Sequence, residues 1–125
     1  MPTADVKGDQ RTVLVFEVKP LKHSHGQAGI PVQEGRALPF TVRRQWVAPA
    51  GHYAERFYVV DKETREIIYE GPERLQATWG LQGVTEETTT VTHSFALDPG
   101  THLVVFALGG VSGGEFDVEA VEVTA

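Results

Sequence analysis

The side chains best placed to do chemistry in this 125-residue chain are histidines. His23-Ser24-His25 sets two imidazoles two residues apart. On a strand that spacing turns both rings to one face, where they could share a metal ion. His102, in Pro99-Gly100-Thr101-His102, is the other candidate ligand. The competing reading of His23 and His25 is a polar loop that happens to hold two histidines, and that reading is adopted: no metal site and no cofactor is expected. His93 shares its parity with Val91 and Phe95, so it is expected to face inward as a neutral imidazole holding one hydrogen bond. Ser94 follows it directly and points to the opposite face, which disfavours a Ser–His pair. His52 falls in a turn.

His23-Ser24-His25 is similar to the first half of the metal motif of the cupin family, and Pro99-Gly100-Thr101-His102 loosely to its second half. That resemblance implies a metal-dependent enzyme with these histidines among the ligands. The family's glutamate is missing, since Gly26-Gln27-Ala28-Gly29 follows and the next carboxylate is Glu34. The cupin reading therefore ranks last of three.

Other clusters give less. Arg43-Arg44-Gln45-Trp46 mixes cations with an aromatic ring, as single-strand nucleic-acid binders do, but in an acidic chain it reads as a solvated strand face. Tyr53, Tyr69 and Trp79 could build a sugar-stacking platform, although core packing is the default for such rings. The glycines between 109 and 114 lack the lysine and the helix of a phosphate loop. Glu86-Glu87 shows no pairing logic for acid–base work. The expectation is a non-enzymatic protein.

Composition sets the frame. The formal net charge is −6, with 41% hydrophobic and 22% charged residues. That is an ordinary globular balance, and without a basic block neither nucleic acid nor an anionic membrane is an expected partner. No apolar run approaches the roughly 20 residues of a membrane helix, and the polar start lacks a signal peptide's apolar core. The absence of cysteine removes disulfides, thiolate metal sites and a cysteine nucleophile. Asparagine is absent too, methionine occurs once, and arginine outnumbers lysine seven to four. Depletion of thermolabile residues points to a hot or GC-rich source.

The elements that must position these residues read as strands. Residues 1–11 form a polar arm, and 12–18 a strand apolar on both faces. Residues 21–37 read as a long loop with a short strand at Ile30–Val32. Residues 38–46 alternate, with Leu38, Phe40, Val42 and Trp46 on one face; Arg44 breaks that face and should lie at a rim or reach a partner. Residues 55–70 form a hairpin across Asp61–Arg65. Residues 71–83 are the sole helix candidate, from Pro72 to Gly80. Residues 88–97 alternate cleanly, and the Asp98-Pro99-Gly100 turn should fold them onto 102–108. The last strand should carry a bulge near Glu119–Ala120. The sum is an antiparallel all-β domain over residues 12–125, a sandwich of about seven strands or a partly closed barrel.

Residues 92–124 resemble the last strands of a fibronectin type III or related immunoglobulin-like module. Leu97, Pro99, Gly100 and Thr101 match the family's turn, while Leu103 stands where a tyrosine is usual. The resemblance implies an immunoglobulin-like sandwich and is silent on function.

With no site in view, surface and strand edges are the expected working parts. A polar arm and a long loop suit attachment to copies of this chain or to a lattice protein. The most specific version is a virion accessory protein, a capsid decoration protein of a tailed phage from a hot environment. The second reading is an extracytoplasmic binding module for a glycan or peptide.

Overall fold

The computed structural model describes residues 12–21, 28–79 and 83–123, so the arm at 1–11 and His23 and His25 lie outside the described residues. The described chain is all-β, with ten strands and no helix. They are β1 (Thr12–Pro20), β2 (Ile30–Gln33), β3 (Arg36–Ala37), β4 (Phe40–Ala48), β5 (Gly51–Val60), β6 (Ile67–Glu70), β7 (Arg74–Thr78), β8 (Gly83–Val91), β9 (Gly100–Leu108) and β10 (Val111–Glu122).

Two sheets share the core. The smaller has the order β1-β4-β8, antiparallel throughout. The larger runs β3-β2-β10-β9-β5-β6, with β7 also on β5. Period-two patterning dictates the inward faces. On β4, Phe40, Val42, Arg44, Trp46 and Ala48 are buried and the residues between them are not. From the larger sheet, Phe57, Val59, Val104, Phe106, Leu108, Val118 and Ala120 join the same apolar cluster.

The hairpin expected at 55–70 is present, with Asp61 Oδ1 accepting from the amides of Glu63 and Thr64 at 2.9 Å each. From this turn Lys62 and Arg65 reach across β9 to Asp117 and Glu115 on β10. Leu103, on the outward face of β9 between Val60 and Asp117, is buried by that arrangement.

Several expectations need correction. The helix proposed within 71–83 is strand β7, because Leu75, Ala77 and Trp79 alternate with Gln76 and Thr78. Strands β6 and β7 lie end to end along β5, joined at Gly71, whose N–H donates to the Phe57 carbonyl at 2.8 Å. A Cβ at Gly71 would sit 2.8 Å from that oxygen, so only glycine permits the splice.

The strand expected over 88–97 ends at Val91, which pairs with Phe40 inside the smaller sheet. Residues 92–97 turn toward the β2–β3 hairpin instead. Ala37 N–H donates to the Phe95 carbonyl, Leu97 N–H donates to the Gly35 carbonyl, and Arg36 clamps Ser94. Strand β9 consequently pairs with β10 and β5, not with 91–97. The bulge lies at Gly113 rather than Glu119–Ala120, since the register shifts opposite Phe106 and Ala107. Leu14 is exposed at a register shift of its own, so β1 is not covered on both faces. One pairing is parallel, β2 with β10, where Ile30 meets Ala120, and the other strand pairings are antiparallel, as expected of a mostly antiparallel domain.

Candidate interaction surfaces

The most polar part of the core is closed to solvent. Arg44, 1% exposed on β4, ion-pairs with Glu55, 0% exposed on β5. The Arg44 guanidinium also donates to the Val42 carbonyl at 2.9 Å and to Thr89 Oγ1 at 2.7 Å. Trp46 Nε1–H donates to the second Glu55 oxygen at 2.7 Å. Arg44 thus reaches a partner, as its break in the apolar face required, but the partner is internal and the solvated strand face expected for it is not found. Arg43 does lie outward, between Glu86 at 2.8 Å and Glu17 at 3.4 Å. These carboxylates and the cation hold each other, with the Arg43 guanidinium pushed above its ordinary value chiefly by the hydrogen bond to Glu86. Glu87, the neighbour of Glu86, accepts from Gln76 instead.

The described histidines, His52, His93 and His102, do not gather. His102 is buried on β9, 8% exposed, and its Nε2–H donates to the Asp98 carbonyl at 2.7 Å. A carbonyl only accepts, so the proton sits on Nε2. Among the described residues no three metal-ligating side chains come together. His93 is exposed, not inward-facing as expected. Its ring lies 6.1 Å from that of Tyr69, which stacks on Phe95 at 4.7 Å. Burial in that stack pushes the Tyr69 hydroxyl up from its ordinary value. Ser94 is held by Arg36 rather than by His93, and His52 is exposed on β5.

The three aromatics of the supposed sugar platform are dispersed. Tyr53 packs edge-on against Trp46 and donates to the Pro49 carbonyl at 2.7 Å. Tyr69 belongs to the Phe95 stack. Trp79 is exposed to solvent.

Around Trp79 lies the surface that sequence reasoning missed. Gln76 and Thr78 of β7 turn inward, to Glu87 and to the Pro49 carbonyl. Leu75, Ala77 and Trp79 therefore face outward, with Leu75 82% and Trp79 78% exposed. On the adjoining strand, Leu75 pairs with Ala54 and Ala77 with His52. The result is an apolar stripe on an edge strand, free of lysine and proline, the devices that normally blunt such edges. The signal was present in Leu75-x-Ala77-x-Trp79, but Pro72 and Gly80 were weighed as helix punctuation.

Fold and surface together define an all-β domain of two sheets with an exposed apolar stripe on one edge strand. No family model matches the chain, and no curated protein does. Among solved structures it is similar to the Pseudomonas fluorescens alkylpurine DNA glycosylase AlkC bound to DNA containing an abasic site analog, with 13% identity and a TM-score of 0.49. The match covers 89% of this chain and 30% of that one.

Proposed function

We propose that this chain is a non-enzymatic assembly module, an immunoglobulin-like β-sandwich that works by protein–protein contact through the outward face of β7. The observation that carries the reading is the exposure of Leu75 and Trp79 on the same face of an edge strand, with Ala77 between them. Burying such a side chain stabilises a contact by roughly 1.5–3 kcal/mol, so leaving two of them wet has a cost that a partner removes. The partner is protein, either copies of this chain or a lattice to which it attaches. The narrowest form of the proposal is a capsid decoration protein of a tailed phage from a hot environment; the absence of asparagine and cysteine supports the hot source. In this reading the polar residues 1–11 are a second point of attachment.

Native mass spectrometry and sedimentation velocity test the reading. The unaltered chain should form a defined oligomer, and Leu75→Ser/Trp79→Ser should shift it to monomer, with no loss of melting temperature at dilutions where both chains are monomeric. A unaltered chain that stays monomeric to millimolar concentration, or a double variant that assembles normally, would remove the support for self-assembly through β7.

A further inference from the structure

The two seams where the sheets meet are unlike. On the β7 side the gap is bridged, since Gln76 Nε2 donates to Glu87 across it at 2.8 Å. On the β1 side the bridges are the Phe16–Phe116 ring stack and one backbone hydrogen bond near the end of the strand. Strand β1 pairs with β4 alone. The Val18 carbonyl turns away from β4 and accepts from Gly29 N–H at 2.7 Å. Backbone groups two residues apart on a strand point the same way. The N–H and C=O of Phe16 therefore also face the open side, with no partner there among the described residues. Gly29 holds the far end of this window, packed so closely that a Cβ would lie 2.4 Å from the Glu119 carbonyl oxygen.

Beside this free edge runs a groove of about 240 Å³ between β1 and β10, floored by Phe16, Val18, Val104, Phe116 and Val118. Phe16 and Phe116 stack in its wall with centroids 4.6 Å apart. Pockets for whole small molecules run to roughly 300–1,000 Å³, so this volume suits a few side chains better. The rim carries Glu17, Asp117 and Glu119, and among the described residues no lysine or arginine lines the groove. Each rim carboxylate has a neighbour — Arg43 and Lys19 for Glu17, Lys62 for Asp117, the Thr101 hydroxyl for Glu119 — yet all lie at the surface.

We propose that this seam binds an extended segment of a partner protein by strand addition to β1. Its backbone pairs with Phe16 and the N–H of Val18, its alternate apolar side chains enter the groove, and its lysines or arginines meet the acidic rim. Main-chain pairing supplies affinity in this mode, and the pockets for alternate side chains supply specificity. The inference is independent of the β7 surface, which lies at the other seam.

The probe is the peptide acetyl-Lys-Val-Lys-Val-Lys-Val-amide, added to the ¹⁵N-labelled chain. Saturable shifts are expected at Phe16–Val18 and Phe116–Val118, with slowed exchange of the Phe16 amide. N-methylation at alternate peptide residues should weaken binding at least tenfold, because it removes the donors the pairing needs. Asp117→Lys/Glu119→Lys, at exposed positions, should weaken it several-fold. If that variant melts lower, the N-methylated peptide on the unaltered chain decides alone. The proposal is overturned if no shift occurs at millimolar peptide, if the N-methylated peptide binds equally well, or if the shifts map to β7.

Discussion

Arg44 and Glu55 approach from opposite sheets and form an ion pair at the centre of the core, with Trp46 Nε1–H bonded to the same carboxylate. This contact ties β4 to β5 and so fixes how the two sheets face each other. Removing one partner of a buried pair leaves the other charge without compensation, at about 3–5 kcal/mol. Glu55→Ala should therefore lose about that much in a urea melt. Glu55→Gln should lose less, since its amide oxygen can still accept from Trp46. Arg44→Met/Glu55→Met should lose less than the two single substitutions summed, because neither charge is then stranded. Strict additivity would show that the pair is not a coupled unit.

Phe95 and Thr92 give a second comparison. Phe95 is buried against Phe40 and Tyr69, with ring centroids 6.2 and 4.7 Å away, while Thr92 is exposed. Phe95→Ala should cost about 3–5 kcal/mol, and Thr92→Ala no more than about 0.5 kcal/mol. Paired urea melts read both values, and equal costs would contradict the burial of Phe95.

Acid should loosen the β5–β6 turn only below the ordinary carboxylate range. The amides of Thr64 and Glu63 hold the Asp61 carboxyl below its ordinary value of 3.8. The hydrogen bond from Arg65 does the same for Glu115, below 4.5. Depressed carboxylates contribute stability above their unfolded pKa and lose it as pH falls through the folded one. Both contacts should therefore persist as pH falls through the ordinary values of 3.8 and 4.5, and be lost only on passing the lower folded midpoints. Carboxyl ¹³C titration checks this directly: midpoints at or above the ordinary values for both residues would refute the assignment.

The splice at Gly71 offers a test of the β6–β7 edge. Gly71→Ala brings a methyl against the Phe57 carbonyl and ring. We expect faster amide exchange at Gln76 and Ala77 and a lower melting temperature. Unchanged exchange along β7 would mean that β5 holds that strand without the splice.

How much of this was legible in the sequence depended on how far each segment is governed by its own pattern. Strand β4 and the 55–70 hairpin were readable because alternation and turn residues act locally. The course of 92–97 was not, since Arg36 and the 34–37 hairpin capture it from 58 residues away. The inward assignment of His93 failed for the same reason: parity holds only while a strand continues, and β8 stops at Val91. Arg44 was recognised as a break in an apolar face, but its partner Glu55 looked like an ordinary polar residue at the start of a hairpin. The β7 stripe was hidden by terminal proline and glycine, which punctuate strands and helices alike.

The outward face of β7 as a contact surface is most directly tested by hydrogen exchange at two protein concentrations. At low concentration, those amides between Leu75 and Trp79 that point away from β5 should exchange readily. At a concentration where sedimentation shows the oligomer, the same amides should slow at least tenfold, and the slowing should vanish in Leu75→Ser/Trp79→Ser. Protection that appears elsewhere while Leu75–Trp79 stays unchanged would contradict the account.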